Sequence, residues 1–307
     1  MAPFLEHVFT FHRREDPHLQ ASFKSEDYVW SHSLIPRPEC SRIQHCFNLV
    51  GVEHDADSPD EPFKYRQTAA YFSLDLVSAK TVWLIIKGNF IVRESIEEFS
   101  KKLDQPERLA TTKGAFMFAL QSHLLIYEWA MQSWTPYINH LGKKYSDISK
   151  LVKYVPVGKK TEDQVIDLVV KRKSTFTTGG QQNSGLHTSA AQTRKSHDRG
   201  PDISDIFSID QLQRLHVVAT EVQAGLSVLH QNKTVLQDML KHFQYLHQSG
   251  NFRHSVEIED QDFHTFLYRT EHCIGELESQ HIRLTSMQMD IDRTTSLVGL
   301  RMPLSLA

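Results

Sequence analysis

Two long stretches, in which apolar side chains recur at three- and four-residue spacings, constrain the fold of this chain most. They cover residues 212–243 and 263–298, and residues 249–251 interrupt the pattern between them. The spacing predicts two helices, each about 35 to 40 residues and therefore about 55 to 60 Å long. Because the connection is short, we predict an antiparallel two-helix coiled-coil hairpin. Lys233 and His281 fall on the apolar seams, where we interpret them as packing details that set the register or lie at a solvent-open edge.

Residues typical of helix starts precede both long helices. Ser208 followed by Gln211 fits a capping box at the first helix. Four carboxylates precede the second helix: Glu257, Glu259, Asp260 and Asp262. We interpret them first as helix initiation, since negative side chains stabilise the positive end of the helix dipole. The alternative is a weak oxygen-ligand site for a divalent cation, which would need another carboxylate from elsewhere in the chain.

The front of the chain contains three runs rich in β-branched and aromatic residues. They cover residues 43–52, 65–76 and 81–86, and the turn-compatible residues 75–80 predict that the second and third runs pair as a hairpin. The run at 81–86 is almost continuously apolar, which predicts a strand covered on both faces. We therefore predict an α+β fold with a mixed sheet packed against helices.

Helical patterns follow these strands. Residues 91–103 predict a short amphipathic helix, and residues 112–152 predict a long apolar one that packs on the sheet, with a kink or break at Pro136. Residues 161–173 predict one more strand or short helix. The next segment, up to Pro201, has almost no large apolar side chains, so it cannot recover its ordering entropy by burial.

These patterns divide the chain into five parts. We predict an irregular start at 1–42, an α/β domain at 43–173 and a flexible linker at 174–205. The helical hairpin follows at 206–299, and a short tail covers 300–307.

Composition and charge exclude several classes of function. A net charge of -3 gives no strongly basic face for nucleic acid. Cys40, Cys46 and Cys273 form no CxxC pair and follow no secretory start, which indicates a reducing, intracellular compartment. The apolar stretches at 82–86 and 115–131 are too short or too polar to span a bilayer.

No motif for catalysis or nucleotide binding emerges. Residues 158–161 resemble the end of a phosphate-binding loop, but Lys153 stands where that loop needs its first glycine. Neither a GxSxG elbow nor a GxGxxG fingerprint after a strand is present, and the histidines show no metal-ligand spacing. We predict no catalytic residues and no enzyme activity.

Several sequence blocks resemble the fungal CorA-like magnesium-transporter proteins. The first two are FKYRQTAAY at 63–71 and WLIIKGN at 83–89. A middle block lies within 122–138, another opens the first long helix at 207–213, and the last surrounds an asparagine at 228–236. The resemblance extends over about residues 43–298.

The resemblance implies a cytoplasmic α/β domain followed by long helices that continue into two membrane helices. It also implies a homopentamer that passes Mg²⁺ and closes when Mg²⁺ binds between cytoplasmic domains, so Mg²⁺ is expected as a regulatory ligand. The Gly-Met-Asn signature of the pore mouth is absent, and the chain ends where the first membrane helix is expected. We therefore expect that the chain as given neither spans a membrane nor conducts ions. A truncated gene model, an isoform or a genuine soluble relative would each fit this ending.

Two hypotheses about function stay open from the sequence. The first is a CorA-like cytoplasmic domain in divalent-cation transport or its regulation, with assembly through the hairpin and membrane association through a full-length or partner protein. The second is a soluble intracellular scaffold that binds coiled-coil partners and has no metal role.

Overall fold

A computed structural model gives the fold of the parts of the chain that carry the main sequence patterns. The residues it describes are 22–25, 42–55, 58, 61–88, 90–102, 110–154, 209–249, 252, 256–257 and 259–299. The element expected at 161–173, the linker at 174–205 and the cap at Ser208 lie outside the described residues.

Four strands form one sheet in the order β1-β2-β3-β4. They are β1 (Phe23–Ser25), β2 (Arg42–His54), β3 (Phe63–Asp75) and β4 (Thr81–Ile86). Every neighbouring pair is antiparallel, so the expectation of a mixed sheet is corrected for the described strands. The physical reason is the short chain between β2, β3 and β4, because a parallel pair needs a long crossover connection.

The predicted hairpin of β3 and β4 is confirmed, but β4 lies at the edge of the sheet. Val82 and Leu84 are 52% and 45% exposed, whereas Trp83 points inward and its ring centroid lies 4.9 Å from that of Phe72. The prediction of a strand covered on both faces is therefore wrong. Side chains of β4 alternate between the inner and the outer face of the sheet, but apolar residues occupy both faces. The composition of the run therefore does not reveal the alternation.

Five helices complete the described fold and confirm the α+β class. They are α1 (Phe90–Lys102), α2 (Thr112–Met131), α3 (Trp134–Tyr154), α4 (Ile209–Gln248) and α5 (Asp260–Gly299). Thr111 caps α2 by accepting a hydrogen bond from the Gly114 amide at 3.0 Å. The expected break comes just before Pro136, which lies in the first turn of α3. Backbone amides in a first turn have no partner within the helix, so the missing N–H of proline costs no hydrogen bond there.

The helices α4 and α5 form the predicted antiparallel hairpin. The rings of Phe243 and Phe266 lie 4.8 Å apart near the connection, and Lys233 Nζ lies 3.2 Å from Glu278 Oε1 further along. His281 faces His230, with ring centroids 6.4 Å apart. The two polar seam positions thus contact the opposite helix.

Contacts divide the chain into two compact units. One combines Met1–Gly142 with Thr220–Gln288, and the other combines Lys143–Ala219 with Met289–Ala307. Within the second unit, the Tyr145 hydroxyl donates to the Asp290 carbonyl at 2.9 Å and lies 2.8 Å from Thr294 Oγ1. The five-part division from the sequence stays a prediction.

Asn232 of α4 binds the backbone of β2 beyond the end of β1. Its side-chain Nδ2 donates to the Val50 carbonyl at 2.7 Å, and its Oδ1 accepts from the Val50 amide at 3.0 Å. Asn232 is fully buried, and Val50 is 1% exposed. Since buried backbone groups need partners, the carboxamide takes the place of a neighbouring strand at this point.

Trp129 of α2 covers β2 one residue further on. A Cβ at Gly51 would lie 2.9 Å from the indole ring, so only glycine allows this approach without a shift. The indole N–H donates to Glu53 Oε1 at 3.3 Å, and Arg66 donates to Glu53 Oε2 at 2.7 Å. Two helices therefore contact the same strand at adjacent residues, α4 at its edge and α2 at its face.

Replacing Asn232 by alanine should destabilise the protein by about 2 to 5 kcal/mol, because it leaves a buried N–H and a buried C=O without partners. Urea unfolding measures the change. The matched control is Asn139→Ala, which removes an exposed asparagine that accepts from Arg283 at 2.8 Å and should cost about 0.5 kcal/mol or less. Equal losses in the two variants would contradict the role of Asn232.

Candidate functional site

The four carboxylates singled out from the sequence lie at the start of α5. Glu259 accepts a hydrogen bond from Lys113 Nζ at 2.7 Å, and Asp260 lies 3.7 Å from His247 Nε2. Glu257 is exposed, with a positive φ of 51°, and Asp262 is half-buried. Lys113 lowers the pKa of Glu259, while Glu259 raises the pKa of Lys113.

This arrangement suits the first turn of a helix. Asp260 and Asp262 lie in the first turn of α5, where carboxylates stabilise the unpaired amides of the helix start. Among the described residues, no group of three or more His, Cys, Asp or Glu side chains is placed to hold a metal ion. An oxygen-ligand site at Glu257, Glu259, Asp260 and Asp262 therefore stays a prediction.

A different cluster of titratable side chains lies between the sheet and two helices. His45 comes from β2, His123 from α2 and His242 from α4, and their exposed fractions are 2%, 0% and 8%. His45 Nε2 lies 2.5 Å from His123 Nε2, and the His45 and His242 ring centroids lie 5.6 Å apart. Aromatic side chains surround this histidine cluster, among them Phe47, Phe72, Trp83 and Phe243.

Hydrogen bonding defines the protons of the two closest rings. His123 Nδ1 lies 2.6 Å from the Ala119 carbonyl, which can only accept, so Nδ1 carries the hydrogen. In the neutral ring Nε2 of His123 is then an acceptor, and His45 Nε2 must donate to it. A metal cannot lie between these two nitrogens, because two Zn–N bonds of about 2.0 Å need a larger separation.

Burial lowers the pKa of all three histidines. Desolvation lowers the pKa of His123 to about 3 and that of His242 to about 4. The pKa of His45 falls well below its ordinary value, mainly through desolvation and then through the neighbouring His123 and His242. The cluster is therefore neutral in the folded protein near pH 7.

Sequence reasoning missed the histidine cluster. The available signal was weak: His45 and His123 interrupt apolar runs in which most residues are buried. The three positions are distant in the chain, and no local spacing indicates that they meet. Only the packing of α2 and α4 on the same face of the sheet brings them together.

In the part of the chain that the structure describes, no helix combines the length and the apolar content needed to cross a membrane.

The family model of CorA-like transporters matches residues 1–153. This part of the chain is therefore similar to CorA-like transporters. No curated protein and no solved structure matches the chain.

The matched region contains the whole described sheet, α1, α2 and nearly all of α3. The helices α4 and α5 lie outside the matched residues. Even so, Asn232 and His242 of α4 contact β2 within the matched region. The core of the matched region is therefore completed by a helix that the family model does not cover.

The histidine cluster should make the protein less stable in acid. Its folded pKa values lie below the unfolded value of 6.5, so stability is complete above about pH 6.5 and decreases as the pH falls towards about 4 for His242 and about 3 for His123. Each histidine contributes a slope of at most about 1.4 kcal/mol per pH unit.

The variant His242→Leu should reduce this slope, whatever its effect on stability at pH 7.5. Urea unfolding between pH 7.5 and 5 measures the slope, and His272→Leu on the exposed face of α5 is the matched control. A slope that is unchanged in His242→Leu, or reduced equally in both variants, would contradict the assignment.

Proposed function

We propose that the chain acts in divalent-cation transport or its regulation, as a CorA-like cytoplasmic domain that does not itself conduct ions. The observation that carries this proposal is the match of residues 1–153 to CorA-like transporters, because it includes every described strand. The role is one of binding and regulation, not of enzyme catalysis. The proposed cation is Mg²⁺.

The start of α5 supports a place for regulatory Mg²⁺. Glu257 and Asp262 contribute carboxylate oxygens, the ligands that Mg²⁺ prefers, and both are at least partly open to solvent. Lys113 occupies one oxygen of Glu259, so this carboxylate would have to exchange its ammonium partner for the ion. Because Mg²⁺ keeps several waters, one or two carboxylates are enough for weak binding.

The outer face of α5 supports assembly through the hairpin. Tyr268 and Ile282 are 69% and 63% exposed, and they lie two heptads apart. Gly275, one heptad from each, has open space where a side chain would be. Exposed apolar side chains at one heptad position, with a glycine between them that leaves room for a neighbouring chain, are suited to a second helix. We propose a homo-oligomer, with the pentamer as the form that the CorA resemblance implies.

A scaffold without a metal role is the second proposal. It uses the same face of α5 for a coiled-coil partner, and the exposed Tyr268 and Ile282 support it. The two proposals differ in their response to Mg²⁺, since a ligand that binds only the folded state must stabilise it.

Magnesium should raise the melting temperature more than equal concentrations of Ca²⁺ or Na⁺, by about 2 to 4 °C at tenfold excess over the dissociation constant. The double variant Glu257→Gln with Asp262→Asn should lose this shift. Glu94→Gln with Glu271→Gln removes two exposed carboxylates elsewhere and should keep it. No shift in the wild type, or equal shifts with all three salts, would favour the scaffold.

Assembly through α5 should be visible in size-exclusion chromatography with light scattering. We expect a mass that is a multiple of the monomer, and Ile282→Glu should shift it towards the monomer by placing a charge in the contact. Val217→Glu is the control, because Val217 is 54% exposed on α4. A monomer at every magnesium concentration would contradict the assembly proposal.

A further inference from the structure

An open cavity of about 520 Å³ lies among α1, α2, α3 and α5, within the first compact unit. Its volume falls within the range of about 300 to 1,000 Å³ that is typical of small-molecule sites. It is separate from the histidine cluster and from the start of α5. None of the functions described so far uses it.

The accessible wall of this cavity is mainly apolar. Ile91 is 49% exposed, Leu125 and Met131 are half-buried, and all three line the cavity together with Trp129, which is 5% exposed. Trp129 is also fixed from behind, because its indole N–H donates to Glu53. The wall is therefore preformed, and an apolar ligand group would displace water from it at little conformational cost.

The charge at the cavity is negative. Glu128 and Glu276 line it, and no Lys, Arg or His side chain is among the lining residues. Arg269 forms an ion pair with Glu128 and donates to Gln121 at 3.2 Å, so its guanidinium is already engaged. Glu276 is exposed and forms no ion pair with any other residue that the structure describes.

We propose that this cavity binds a monovalent organic cation with an apolar body, such as an aryl-alkyl ammonium. The apolar body packs on Ile91, Leu125 and Met131, and the ammonium group pairs with Glu276 at the rim. A divalent metal ion fits poorly, because it needs several oxygen ligands and gains nothing from an apolar wall. An anion would meet the two carboxylates.

Three probes with one skeleton separate charge from apolar contact. Phenethylammonium is positively charged, 2-phenylethanol is neutral and phenylacetate is negatively charged. All three carry the polar group on a short chain attached to a phenyl ring. Titration calorimetry with the full chain at pH 7.4 should give about tenfold tighter binding for phenethylammonium than for 2-phenylethanol, as expected for one charge-assisted hydrogen bond. Phenylacetate should bind more weakly than either.

Two variants locate the binding. Glu276→Gln should reduce the affinity for phenethylammonium to about that of 2-phenylethanol, whereas Glu271→Gln, an exposed carboxylate on the same helix, should leave it unchanged. Ser95→Trp on α1 should fill the cavity and weaken both probes. Circular dichroism checks that each variant folds.

Several results would overturn the proposal. They are undetectable binding of phenethylammonium, equal affinity for all three probes, and equal effects of Glu276→Gln and Glu271→Gln. Because none of these measurements involves Mg²⁺, their failure leaves the CorA-like proposal unaffected.

Discussion

The described fold depends on one constraint, which is that the edge of β2 beyond the short β1 is buried. A buried strand edge presents amides and carbonyls that must find partners. Here the partner is the Asn232 carboxamide, 182 positions away in the chain, which both donates to and accepts from Val50. Both bonds form only when α4 lies on the sheet. The backbone groups of Val50 therefore gain their partners at the same time as the hairpin docks on β2.

This coupling bears on how a CorA-like region would respond to a signal. A helix outside the matched residues supplies both Asn232 and His242 to the core of the matched part, and its partner helix α5 carries the acidic start. The acidic start therefore lies on a helix that contacts α4, and α4 in turn contacts the sheet.

Local sequence signals predicted three features, because each depends on neighbours within the same segment: periodicity predicted the two long helices, turn composition the β3–β4 hairpin, and Pro136 the helix break. The contacts between side chains of distant segments could not be predicted from such signals. The sequence alone does not tell whether Asn232, in the middle of α4, is buried or exposed to solvent. The histidine cluster likewise brings together residues from three separate segments. Likewise, the run at 81–86 was predicted to be covered on both faces. The order of the strands, which places β4 at the edge of the sheet, cannot be inferred from the run itself. The cavity near Trp134 needs four helices, so no single motif indicates it.

The most direct test of this account is amide hydrogen exchange at Val50, measured by NMR under native conditions. If Asn232 completes the sheet, the Val50 amide exchanges only when α4 detaches, so its opening free energy equals that of the amide of Val235 in the middle of α4. Fast exchange at Val50 while Val235 remains protected would show that the strand edge opens independently of the hairpin, which would contradict the account.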